Sequence, residues 1–181
     1  MHTLLALSRW IDRVNSLIGQ LASGLLILMI IVGSWNVVGR YIGQAVGQNL
    51  SSNALIETQW YLFSVVFLLG AAYTLQRDDH VRVDVLYSRW NERQQARANV
   101  VGTLLFLLPF SALMLWFSWA WVLASWRIGE QSPDPGGLPR YPIKTFILLS
   151  FITLFFQGIS EAIKNVARLR ANDSADAGGG A

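Results

Sequence analysis

The sequence predicts an all-α integral membrane protein. It has four transmembrane helices, a cytoplasmic-side amphipathic interfacial helix between the second and third, and both termini in the cytoplasm. Three observations carry that expectation. Apolar residues make up 53% of the 181-residue chain and charged residues 14%. The charges are segregated, because residues 14–39, 58–76, 98–126 and 145–160 contain none. A helix needs roughly 20 apolar residues to cross a hydrocarbon core about 30 Å thick, and the first three runs meet that length. Finally, Lys and Arg divide unevenly between the two ends of these spans, which sets an orientation.

Residues 1–13 form a cytoplasmic amphipathic arm, with Leu7, Trp10 and Ile11 at helical spacing. The first span covers about 14–39 and is closed by Arg40. This run is too long for a signal-peptide core and LASG is a poor cleavage site, so the span is expected to be retained. Residues 41–57 form a linker, in which Gly43 and Gly47 suggest loop flexibility rather than a dimerisation motif. The second span, about 58–76, opens with Trp60 and Tyr61 at an interface. Its Gly70, Ala71 and Ala72 permit close helix approach and mark a packing face.

The next segment is dense in charge yet half apolar. Val83, Leu86, Tyr87 and Trp90 follow i, i+3, i+4, i+7 spacing, while Asp84, Ser88, Asn91 and Gln95 fall elsewhere. That pattern predicts a helix lying in the headgroup layer. The third span, about 98–126, gathers Trp116, Trp119, Trp121 and Trp126 toward one end. The linker after it holds Pro133, Pro135, Pro139 and Pro142 with Gly136 and Gly137, so it cannot be helical. The fourth span, about 141–163, is short of uncharged residues, but Tyr141 can anchor it and Lys144 can snorkel. The membrane domain therefore covers 14–170, and the small polar residues 171–181 are expected to be disordered.

Ten basic residues fall on the side of the termini: Arg9, Arg13, Arg77, Arg82, Arg89, Arg93, Arg97, Lys164, Arg168 and Arg170. Four fall opposite: Arg40, Arg127, Arg140 and Lys144. Cytoplasmic loops carry the excess of Lys and Arg, so both termini are assigned there. The same asymmetry accounts for the net charge of +3 without a nucleic-acid partner.

Little in the chain suggests catalysis. Cysteine is absent, which removes disulfides and thiolate chemistry. The two histidines, His2 and His80, lie at the terminus and at a membrane edge, a poor arrangement for ligating haem across helices. No catalytic residue, metal site or cofactor site is assigned. Transport pathways are usually marked by ionisable residues inside spans, and the uncharged runs hold none. Polar residues within the spans, including Asn36, Ser111, Ser150 and Gln157, suit helix–helix hydrogen bonding. Arg40 and Glu57 end the same linker, as an ion pair or as two separately solvated interface charges.

One order of features is specific. Arg40-Tyr41 closes span one, and Glu57 precedes Trp60. The second span closes with LLGAAYTLQ around Gly70, and His80-Val81-Arg82-Val83-Asp84 follows before the stretch with Trp90. This resembles the DctQ-like family, the small four-helix membrane subunit of tripartite ATP-independent periplasmic (TRAP) transporters. The resemblance covers roughly residues 14–169. It implies a non-catalytic, cofactor-free subunit of a sodium-coupled, binding-protein-dependent transporter in a bacterial inner membrane. The subunit would act as scaffold for a large transport subunit and help dock a periplasmic substrate-binding protein. The loop GEQSPDPGGLPRYPIK suggests organic acids as substrates. Under the resemblance Arg40, Glu57, Trp60, Gly70, His80, Arg82, Asp84 and Trp90 are structural or interface residues. Arg82 would meet membrane lipid phosphate. Two other readings of the residues stay open: a free-standing oligomeric channel or carrier, and a membrane redox subunit.

Overall fold

The computed structural model describes residues 2–48, 50–78 and 87–178, with side chains through residue 171. It contains four long helices: α1 (His2–Val46), α2 (Asn53–Arg77), α3 (Glu92–Ile128) and α4 (Tyr141–Gly178). No strand occurs among the described residues. All four helices are long and apolar enough to cross a membrane, so the expectation of a four-span protein is met.

Each helix outruns the uncharged stretch that predicted it, because polar residues at a helix end lose nothing by staying helical in water. The arm at 1–13 is continuous with the first span in α1. The backbone of α4 runs on to Gly178, past the point where a disordered tail is expected. In the linker after span one, Gly43 is helical and Gly47 ends α1 at φ 75°. Gln48 N–H then donates to the Gly43 carbonyl at 3.0 Å, completing a glycine C-cap.

α3 begins abruptly. Asn91 Oδ1 accepts from Gln94 N–H at 2.8 Å, and the Gln94 side chain accepts from Asn91 N–H at 3.1 Å. This reciprocal capping box fixes a helix start at Glu92. A turn at residues 88–90 precedes it. Gln95 therefore belongs to α3, and the amphipathic pattern expected from Val83 to Gln95 is not one helix. Residues 79–86, with His80, Arg82 and Asp84, lie outside the described residues.

Within α3, residues Thr103–Leu107 widen into a π-helical turn, and Leu108 N–H donates to the Thr103 carbonyl. Pro109 stands just beyond it. A proline there lacks an N–H and its ring would strike the carbonyl four residues back. The wider turn is a known way to absorb such an interruption. Ser111 Oγ donates back to the Leu107 carbonyl at 2.8 Å, which satisfies this buried hydroxyl within its own helix.

The chain divides into two compact units. One comprises Met1–Ser16, Ala72–Leu115 and Phe151–Ala181; the other comprises Leu17–Ala71 and Trp116–Ser150. Burial is inverted relative to a water-soluble protein. Trp116, Phe106 and Phe67 are 80%, 72% and 70% exposed, while Gln157, Ser160 and Ser111 are fully buried. Large apolar side chains outside and small or polar ones inside are what a hydrocarbon solvent selects. Ala72, also fully buried, confirms part of the expected small-residue packing face. A Cβ at Gly70 would meet nothing within 4 Å. Close approaches fall instead at Gly33, where a Cβ would come within 2.8 Å of Gln59, and at Gly158, where one would sit 3.0 Å from Leu108.

Candidate functional site

In the unit comprising Leu17–Ala71 and Trp116–Ser150, one face of α2 holds the Pro/Gly-rich loop that joins α3 to α4. Asn53, Glu57 and Tyr61 recur every four residues and so project on the same side of the helix. Asn53 Nδ2 donates to the Pro135 carbonyl at 3.0 Å. The Glu57 carboxylate accepts from the Ser132 hydroxyl and from Leu138 N–H. Tyr61 Oη donates toward the Pro139 and Leu138 carbonyls at 3.1 and 3.3 Å. Gly137 lies against this clamp, where a Cβ would come within 2.8 Å of Glu57 Oε2.

The loop is also closed on itself. Gly129, at φ 57°, ends α3 in a Schellman motif, with Glu130 N–H donating to the Ser125 carbonyl at 3.1 Å. Arg140 N–H donates to the Glu130 carbonyl at 2.8 Å, joining the two ends. The Glu130 side chain accepts from Ser125 Oγ at 2.7 Å and pairs with Lys144 at the start of α4. These two donors, Lys144 foremost, hold the Glu130 carboxyl below the usual carboxylate range. Lys144 is also 4.1 Å from the Trp121 ring centroid. Trp126 Nε1 donates to Thr145 Oγ1 at 2.9 Å and packs edge-on against Tyr141.

A second cluster lies in the other unit, between α1 and α4. Asn15 Nδ2 donates to Gln157 Oε1 at 2.6 Å, and Gln157 Nε2 donates to Asp12 at 2.9 Å and Glu161 at 3.1 Å. Ser8 and Ser160 hydroxyls lie 2.7 Å apart, and Ser160 Oγ reaches Asp12 at 2.8 Å. Lys164 bridges Asp12 and Glu161. The side chains of this strip bond mainly to one another across the two helices, so it fastens them rather than offering an open binding site.

Among the residues singled out from sequence, Glu57 is buried at the centre of the loop clamp. Its position differs from expectation: α2 starts at Asn53, so Glu57 lies beyond the first turn. Arg40 is exposed and does not supply its partner. Ser132 and Leu138 occupy the carboxylate, so the suggested Arg40–Glu57 ion pair is replaced by loop contacts. Trp60 packs edge-on against Tyr61 at 4.4 Å with the Arg140 guanidinium 6.0 Å from its ring. Trp90 stacks obliquely near Tyr87 at 6.0 Å. Sequence reasoning missed Ser132, Leu138 and the roles of Glu130 and Asp12. The Asp12 cluster had a signal: Ser8, Asp12 and Asn15 face Gln157, Glu161 and Lys164, both sets at i, i+4, i+7. No group of three or more metal-ligating side chains occurs among the described residues.

The chain thus has four membrane-length helices, one hydrogen-bonded polar strip and one tied-down loop. The family described as "Tripartite ATP-independent periplasmic transporters, DctQ component" matches residues 29–168. The chain belongs to the DctQ family. The matched region includes the loop clamp, the C-terminal part of α1, all of α2 and α3 and most of α4, which makes the chain a TRAP transporter small permease component and a multi-pass membrane protein. No curated protein and no solved structure matches it.

Proposed function

We propose that this DctQ subunit is the fixed, non-catalytic part of a sodium-coupled TRAP permease in a bacterial inner membrane. It enlarges the stationary frame against which the large membrane subunit moves its substrate, an organic acid delivered by a periplasmic binding protein. The single observation carrying this reading is the loop clamp. A connector rich in Pro and Gly would ordinarily be mobile, yet Asn53, Glu57 and Tyr61 fasten it to α2 along most of its length. A pre-ordered loop lowers the entropic cost of binding a partner. Facing the periplasm, as the distribution of Lys and Arg favours, it would present that surface to the binding protein. On the same charge distribution the segment with His80, Arg82 and Asp84 falls on the cytoplasmic side, where it would anchor the subunit to the large subunit and to lipid.

Co-expression with the large membrane subunit tests the reading. The two should purify as a stable complex, and Asp84→Ala should weaken the complex or lower transport without changing substrate selectivity. A DctQ chain that transports solute alone would refute it, as would Asp84→Ala altering selectivity with assembly intact.

A further inference from the structure

Beside the loop clamp lies a groove of about 490 Å³ that the helix contacts do not fill. Its walls are Phe63, Phe67 and Leu68 from α2 and Ile143 and Ile147 from α4. Phe63 and Phe67 are 56% and 70% exposed, so they face whatever surrounds the helices. Along α2 the wall runs from Trp60 to Leu68, a rise of about 12 Å at 1.5 Å per residue.

The charged side chains of the groove come from the loop end of the unit. Arg140, Lys144 and Glu130 form that rim. Lys144 is committed to Glu130, and Glu57 is committed to the loop. Arg140 is different: its Nε is buried with no hydrogen-bond partner among the described residues. A guanidinium is the side chain best shaped to grip phosphate, through paired N–H donors. Arg140 is only half-buried as a residue and lines the groove, so its guanidinium edge is within reach of an acceptor from outside the chain.

From this juxtaposition we infer that the groove is a phospholipid site. The phosphate sits on Arg140 at the rim, and one acyl chain lies along Phe63, Phe67 and Ile147. A phospholipid matches both parts at once: an anion beside the rim cations Arg140 and Lys144, and hydrocarbon along the apolar wall below them. Trp60 and Trp121, both lining the groove, stand where an aromatic residue meets the interface. This inference requires a membrane protein but not the stationary-frame role proposed above.

The test uses the full chain purified in dodecyl maltoside, titrated with dioleoylphosphatidylglycerol or with dioleoylglycerol as the phosphate-free control. Binding is read by native mass spectrometry and by tryptophan fluorescence. The native chain should prefer the phospholipid. Arg140→Gln should bind it about tenfold more weakly and lose the preference over dioleoylglycerol, as expected for a lost charged hydrogen bond. Ile147→Trp, which fills the groove, should weaken both ligands while the melting temperature shows the fold retained. Equal phosphatidylglycerol affinity for the native chain and Arg140→Gln overturns the assignment. So does an Arg140→Gln variant that keeps its lipids but no longer purifies with the large membrane subunit, since the groove would then be a protein interface.

Discussion

Glu130 illustrates how a single residue gives the loop a pH dependence. Its carboxylate accepts from Lys144 and Ser125, and both bonds favour the charged form. The folded-state pKa is therefore lower than the unfolded one, about 4.3 for glutamate. Glu130 contributes stability in full above the unfolded value, and the contribution fades as pH falls through the lower folded value. Thermal melts in detergent should be insensitive to Glu130→Gln chemistry in shape above about pH 5.5, and the native chain should lose stability more steeply than the variant on acidification below about pH 4.5. Parallel acid profiles would contradict the pairing. Gly137 gives a second residue-scale prediction. Its position against Ser132 and Glu57 leaves no room for a Cβ. Gly137→Ala should displace the loop and speed its cleavage by added protease, whereas Gly24→Ala, with open space around it, should leave cleavage unchanged.

At the scale of the element, the polar strip of α1 and α4 is the clearest case. Gln157 is fully buried and contacts Asn15, Asp12 and Glu161. Gln157→Ala strands these partners, a loss of about 1–3 kcal/mol by the general rule for unmade bonds. Interhelical bonds measured in membranes are weaker, averaging about 0.6 kcal/mol, because the separated helices find other partners. The expected cost is therefore on the order of 1 kcal/mol in reversible unfolding, and Gln157→Glu should be worse because it adds negative charge beside Asp12 and Glu161. A neutral Gln157→Ala would show that the strip adds little to helix association. The helices themselves were legible, because uncharged runs of membrane length have few other uses. Their ends were not. Gln94 and Asn91 cap α3 through a local pair that looks like ordinary polar sequence inside an amphipathic pattern. Glu57 stands out in the sequence as a charge beside a span, but its partners lie about eighty positions away in a loop whose path only packing decides.

At the scale of the whole molecule, the absence of cysteine makes orientation in the membrane directly measurable. Two exposed positions, Asp134 in the clamped loop and Arg9 on α1, sit at points that the Lys and Arg distribution assigns to opposite sides. Asp134→Cys should react with a membrane-impermeant maleimide when only the outer face of the inner membrane is open to reagent. Arg9→Cys should react only after that membrane is broken. The reverse pattern would turn the clamped loop toward the cytoplasm, where no periplasmic binding protein could reach it, and would remove the main support for the docking role. Labelling of Asp134→Cys should also fall when the binding protein is added to an assembled permease, because a docked partner covers the loop. Unchanged labelling in a complex that still transports would leave the loop as an internal brace, with Glu57 and Tyr61 serving the fold alone.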